Sequence, residues 1–151
     1  MINEKLIYLQ ITPYFPSADN YVGSYIFDQV EAIKKNSSYE VIVIKLCAPH
    51  DYIKDNSYIH YGTKVFNFKV IDFPSSILPG VFQYLNFFRI RKFIKDIIKI
   101  NMSRVRIIHA HSVYPAGMLS QALSKKYNIP YFVQYHGLDT LNITNGRVLS
   151  G

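Results

Sequence analysis

Residues 105–135 read VRIIHAHSVYPAGMLSQALSKKYNIPYFVQY, and they contain the clearest indication of the fold. Val105–His111 is a mostly apolar run rich in β-branched side chains, which predicts a buried strand. Ala116–Tyr127 has its apolar residues on one side of a predicted helix, and Tyr131–Tyr135 is a further β-forming run after Pro130. A strand, a helix and a strand in this order are typical of a βαβ unit with parallel strands.

The rest of the chain continues this alternation. Strands are predicted at Leu6–Ile11, Val41–Leu46 and Lys64–Phe73. The last of these alternates apolar and polar residues, as an outer strand does. Helical spacing begins at Ser24 and again covers Phe82–Ile100. The sequence therefore predicts an α/β fold with a mostly parallel sheet and helices on both faces.

The composition indicates a folded globular domain. With 151 residues, 49% of them hydrophobic and 18% charged, the chain has the length of one domain and is too apolar to be disordered. Its one cysteine, Cys47, excludes an internal disulfide framework and a cysteine-based zinc site. No apolar run approaches the roughly 20 residues of a membrane-spanning helix, and Met1–Lys5 does not resemble a signal peptide. We therefore expect a cytoplasmic protein.

The net charge of +7 arises from 17 Lys and Arg residues against 10 Asp and Glu residues. Such a balance favours anionic partners: nucleic acid, a phosphorylated small molecule or an anionic membrane face. An AT-rich coding sequence produces the same excess, because its product is rich in Ile, Lys, Asn and Tyr. Since no nucleic-acid-binding motif is present, we expect no nucleic-acid partner.

Much of this charge falls on the predicted helix and its tail, Phe82–Arg106, where seven basic residues accompany one acid, Asp96. Aromatic and aliphatic residues lie between them. A basic amphipathic helix of this kind can lie in an anionic membrane interface. An ordinary helix that covers the sheet and exposes a basic face has the same pattern, so both interpretations stay open.

Parallel sheets bind ligands at the loops that follow the carboxyl ends of their strands. The first of these loops follows Leu6–Ile11 and ends in Gly23. A glycine at the start of a helix lets a phosphate approach the free N–H groups there. A plain turn with Ser24 as the helix N-cap would give the same sequence. Neither GxGxxG nor GxxxxGK[ST] occurs in the chain.

The second and third of these loops follow the predicted strands Val105–His111 and Tyr131–Tyr135, and both contribute histidines. His109 and His111 point to one face of their strand, and His111 ends it, where it could act as an acid or base or donate to a phosphate or sugar hydroxyl. We interpret His109 as a core histidine bonded to the backbone. In the third loop, His136, Gly137 and Asp139 would face the same cleft as His111. A metal would need a further ligand such as Asp139 or His136, and nothing in the sequence demands one.

Three segments together resemble the N-terminal domain of retaining GT-B glycosyltransferases of family 4. They are the Thr12–Gly23 loop, the HAHSVYPAG run at 109–117 and QYHGLD at 134–139, in the family's order. The resemblance covers essentially the whole chain. It implies a Rossmann-like acceptor-side domain over residues 1–151, the N-terminal half of a GT-B architecture that is C-terminally incomplete because the donor-binding domain is absent.

The resemblance also implies the activity. An enzyme of this family transfers a sugar, here as a hexosyltransferase, from a nucleotide-sugar to a glycan or lipid-linked acceptor in cell-surface polysaccharide biosynthesis. It needs no metal or other cofactor, and it is cytoplasmic or peripheral on the inner face of the cell membrane. Without the donor half we expect this piece alone to be inactive.

The resemblance also implies roles for single residues of this chain. Gly23 matches the glycine that approaches the donor phosphate and the acceptor, although many relatives have Gly-Gly where this chain has Val22-Gly23. His111 matches the histidine that lines the reaction centre and is the catalytic candidate. The family's H-G-x-D turn is matched by His136, Gly137 and Asp139.

Two other functions remain open. One is a truncated, non-catalytic module that binds a sugar or a membrane surface. Whether the coding region continues past Gly151 would distinguish this module from an enzyme. The other is a single-domain nucleotide-binding or flavodoxin-like protein, which fits the fold but lacks a phosphate-binding motif.

Overall fold

The computed structural model describes residues 4–71 and 82–135. In this part of the chain the strands are β1 (Ile7–Thr12), β2 (Glu40–Cys47), β3 (Ser57–His60), β4 (Thr63–Lys69), β5 (Val105–His111) and β6 (Tyr131–Gln134). The α-helices are α1 (Ser24–Asn36), α2 (Gln83–Phe93) and α3 (Met118–Tyr127). Shorter helical turns cover Ile94–Ile98, Met102–Arg104 and Val113–Gly117.

The described strands form one sheet in the order β3-β4-β2-β1-β5-β6. Every neighbouring pair is parallel except β3 and β4, which are antiparallel. The carboxyl ends of β1, β2, β4, β5 and β6 therefore meet at one edge of the sheet. This arrangement confirms the predicted α/β, Rossmann-like fold.

Strand β1 lies in the middle of the sheet, and all six of its residues are buried. Because side chains alternate across a strand, its two faces enter different cores. Ile7, Leu9 and Ile11 pack with α2 and α3 on one face. Tyr8 packs with α1 on the other. Helices therefore cover both faces, as predicted.

The predicted outer position of the strand at Lys64–Phe73 is wrong. Strand β4 ends at Lys69, and β3 pairs along its outer edge. The sequence gives little sign of β3, because this strand has four residues and alternates exposed with half-buried positions instead of forming an apolar run. Its link to β4 is the tight turn at Tyr61 and Gly62, where both φ angles are positive.

Candidate functional site

A cleft of about 950 Å³ opens at the carboxyl ends of β1, β2 and β4. Its floor includes Lys45 and Cys47 from β2 and Asn67 from β4. The walls come from residues 13–22 and 51–55, and from residues 58–61, which run along β3 to the turn at the amino end of β4. This is the edge at which open parallel sheets bind their ligands, so the cleft is the candidate site.

The first loop, which forms one wall, is held in place by hydrogen bonds from two side chains of the sheet. The Lys45 ammonium donates to the carbonyl oxygen of Phe15 at 2.9 Å. The Tyr58 hydroxyl donates to the carbonyl oxygen of Pro16, also at 2.9 Å. Phe15 itself is buried. The wall is therefore anchored to both β2 and β3.

Gly23 lies where this loop enters α1, and the backbone requires a glycine there. Its φ is +89°, and a Cβ atom would lie 2.7 Å from the carbonyl carbon of Tyr14 and 2.9 Å from the nitrogen of Phe15. Gly23 is also the N-cap of α1, with no side-chain cap, so Ser24 is not the N-cap that the plain-turn interpretation assumed. The fold thus needs Gly23 for its own packing, and its role toward phosphate stays a prediction.

His109 and His111 are both buried, and their ring centroids lie 4.0 Å apart. The Tyr8 hydroxyl and Nδ1 of His109 are hydrogen-bonded at 3.0 Å. The Phe132 ring stacks on the other side of His109 with its centroid at 4.0 Å. His109 is therefore a core histidine, as interpreted, but its hydrogen bond here is to the Tyr8 side chain, and the predicted bond to the backbone stays a prediction.

His111 has the strand-end position that the sequence predicts, but its side chain is fully buried and does not line the cleft. Its Nε2 is hydrogen-bonded to the side-chain amide nitrogen of Gln10. The proposed catalytic role of His111 stays a prediction.

The turn after β5 is tightly packed. Ser112 has a φ of 119°, which is rare for a residue with a side chain, and its N–H donates to the carbonyl of Gln134 at 3.0 Å. A Cβ atom on Gly117 would lie 3.1 Å from the Ser112 carbonyl oxygen and 3.2 Å from Cγ2 of Val133. The glycine of the HAHSVYPAG run is therefore required for close packing against β6.

Burial raises the pKa of side chains on β1, β2 and β3. It raises the pKa of Tyr58 to about 12, and it does the same for Tyr8 on β1. Burial also raises the pKa of the Cys47 thiol, although the neighbouring Lys45 opposes this shift. The two phenols therefore stay neutral near pH 7, and Cys47 stays a thiol, which is a poor nucleophile.

The remaining predicted residues, His136, Gly137 and Asp139, lie outside the described residues. Within residues 4–71 and 82–135, no three His, Cys, Asp or Glu side chains are grouped so that they could hold a metal ion. No helix in the same ranges is both long and apolar enough to span a membrane. The sequence did not single out the floor residues Lys45 and Asn67, because each lies within a predicted strand and neither belongs to a motif.

The family model described as Glycosyltransferase Family 4 matches residues 22–149 of the chain. The match begins beside Gly23 and includes β5, the turn after it and β6. No curated protein matches the chain.

Proposed function

Since the chain belongs to glycosyltransferase family 4, we propose that it is the acceptor-side domain of a retaining hexosyltransferase. This enzyme transfers a sugar from a nucleotide-sugar to a glycan or lipid-linked acceptor in cell-surface polysaccharide biosynthesis, on the cytoplasmic side of the membrane. The observation that carries the proposal is the anchored cleft at the carboxyl ends of β1, β2 and β4. In this proposal the cleft holds the acceptor.

The chemistry of the cleft lining supports an acceptor that carries hydroxyl groups. The carboxylates of Asp19 and Asp55 can accept hydrogen bonds from hydroxyls, and the amide of Asn67 can both donate and accept. Lys45 adds donors at the floor. A concave site with a few fixed polar groups among aromatic side chains is typical of small-molecule binding.

The proposed reaction breaks the bond between the anomeric carbon and the diphosphate of the donor. A new bond forms from the same carbon to an acceptor oxygen, whose proton is released, and the nucleoside diphosphate leaves. No metal or other cofactor is part of this proposal. In this proposal a second, donor-side domain binds most of the nucleotide-sugar.

His111, Gly23 and the third loop keep their proposed roles. His111 would position the sugar or the acceptor hydroxyl, and because its ring is buried, the residues that cover it would have to move when substrate binds. Gly23 would lie near the donor phosphate. His136, Gly137 and Asp139 would contribute to binding of the acceptor or phosphate, as the family resemblance implies.

We also propose that the Phe82–Arg106 region contacts an anionic membrane surface. Helix α2 covers the sheet with Ile90, and yet it leaves other apolar side chains in solvent. The exposed apolar residues of α2 and the following turn are Tyr84, Leu85, Phe88 and Ile97. The exposed basic residues of the same segment are Lys92, Lys95 and Lys99. Apolar and basic groups on one surface favour an anionic lipid interface.

A transfer assay tests the proposed function. The protein at the length at which it occurs in its source cells is incubated with a panel of nucleotide-sugars and with glycans and lipid-linked acceptors from those cells. We expect acceptor to raise the release of nucleoside diphosphate by about tenfold or more. NMR of the product should show the anomeric configuration of the donor sugar.

The same preparation distinguishes the non-catalytic alternative. It is sedimented with vesicles of phosphatidylglycerol and, as a control, with vesicles of phosphatidylcholine. Nucleoside diphosphate could be released without acceptor, or not at all, while the protein sediments with the anionic vesicles. That result would contradict the transferase and support a membrane-binding module. Transfer without any preference for anionic vesicles would contradict only the membrane contact.

A further inference from the structure

The hairpin turn between β3 and β4 has a tyrosine where a tyrosine is unfavourable. Tyr61 has a φ of 44° and Gly62 a φ of 75°. Two-residue hairpin turns with two positive φ angles favour Asn or Gly at the first position, because most side chains clash with the backbone in this conformation. The hairpin would therefore be more stable with asparagine in place of Tyr61.

Packing does not account for this tyrosine, because 76% of Tyr61 is exposed. Among the described residues its ring contacts Phe27, at 5.5 Å between centroids, and His60, at 4.9 Å. The backbone beneath the ring is fixed, since Lys34 donates from Nζ to the carbonyl of Tyr61 and to Oγ1 of Thr63, each at 3.1 Å. A strained residue that presents most of its ring to a cleft points to contact with a ligand.

The charge of the cleft differs from that of the chain. The charged residues along its lining are three acids and two lysines: Asp19, Asp51, Asp55, Lys45 and Lys54. The chain as a whole carries +7. Because the lining has more carboxylates than ammonium groups, an anionic ligand would be repelled here, whereas neutral hydroxyls would find acceptors.

Two further exposed aromatic rings lie along the walls. Tyr21 is 76% exposed, and Tyr52 is 92% exposed. An aromatic ring offers a flat apolar surface, and the C–H face of a sugar ring is an apolar surface of similar size. Carboxylates beside such rings can accept hydrogen bonds from the hydroxyls at the edge of the sugar.

We propose that this cleft binds a neutral saccharide, and that a sugar ring stacks on Tyr61; the inference rests on the acceptor role proposed above. Phosphorylated and uronic acid sugars are disfavoured by the carboxylates of the lining. Tyr61 sets the position of the sugar at the β3–β4 wall, and Tyr52 and Tyr21 contact it from the other walls.

The test uses ligand-observed NMR on the 151-residue chain, without any nucleotide-sugar. The probes are the methyl glycosides of glucose, galactose and mannose, compared with glucuronate and glucose 1-phosphate. We expect at least one neutral glycoside to bind more tightly than both anionic probes. The Tyr61→Asn variant should weaken that binding by about fivefold or more through the loss of stacking, and its Tm should rise because asparagine suits the turn.

Tyr84→Gln is the matched control, because Tyr84 is an equally exposed tyrosine on α2, away from the cleft. It should change neither the binding nor the preference among the probes. Unchanged binding in Tyr61→Asn, a lower Tm in that variant, or tighter binding of an anionic probe would each overturn the proposal. Because the donor is absent from this experiment, its result is independent of the transfer assay.

Discussion

Replacing Gly23 with alanine is expected to lower the free energy of unfolding by about 3 kcal/mol, from the strain of a positive φ and the overpacking of the first loop. The new Cβ atom would lie 2.7 Å from the Tyr14 carbonyl carbon, and this backbone cannot move away because the Lys45 ammonium holds the neighbouring carbonyl of Phe15. Urea unfolding followed by circular dichroism measures the change.

Gly62→Ala provides the control for this prediction. Gly62 also has a positive φ, but the nearest atom to its Cβ position is Nζ of Lys34 at 3.9 Å. Its substitution should therefore cost only the strain of the backbone, about 1 kcal/mol. Equal losses in the two variants would contradict close packing at Gly23. A stable Gly23→Ala protein that no longer transfers sugar would instead favour a direct role at the phosphate.

The largest expected effect on activity comes from His111→Ala, which should lower turnover by about 100-fold or more if the ring positions a reacting hydroxyl. The overall fold should persist, because the substitution leaves both apolar cores unchanged. Turnover is measured in the transfer assay on the protein at its native length, and near-ultraviolet circular dichroism checks the fold.

His109→Ala is the matched control, since His109 lies beside His111 in the same buried layer and is hydrogen-bonded to Tyr8. It should lower stability to a similar extent, because a buried ring is lost and a buried polar group loses its partner. Most of the turnover should remain. Full activity in His111→Ala, or an equal loss in both variants, would contradict a specific role for His111.

Much of the fold is predictable because the central strands are strongly apolar. In β1 every residue is buried, and in β2 all but Glu40 and Lys45 are, so both strands appear as short apolar runs. The alternation of these runs with helical spacing then indicates a parallel sheet. Strand β3 could not be found in this way, since it forms by pairing with β4 and buries little of its own surface.

The candidate site was predictable only in part. The position of Gly23 before α1 and of His111 at the end of β5 follows from the sequence, and the structure confirms both positions. His111 is hydrogen-bonded to Gln10, which lies 101 residues earlier in the chain and meets it through the pairing of β1 with β5. Contacts between residues so distant in sequence leave no local pattern, and the same holds for Lys45 and Phe15.

The central claim is that the cleft beside β1, β2 and β4 holds the acceptor, and alkylation at its wall tests this most directly. Tyr52→Cys places a thiol at a position that is 92% exposed on the wall, whereas Tyr84→Cys places one on α2 as the control. Cys47 should react slowly, because it is buried and its pKa is raised. Mass spectrometry of the modified peptides gives the rate at each thiol in the protein at its native length.

Saturating acceptor should slow alkylation of the Tyr52→Cys thiol by about fivefold or more, because only unoccupied protein reacts. The rate at the Tyr84→Cys thiol should not change. If acceptor left the rate at Tyr52→Cys unchanged, or slowed both thiols equally, the acceptor would bind elsewhere and the account would be wrong.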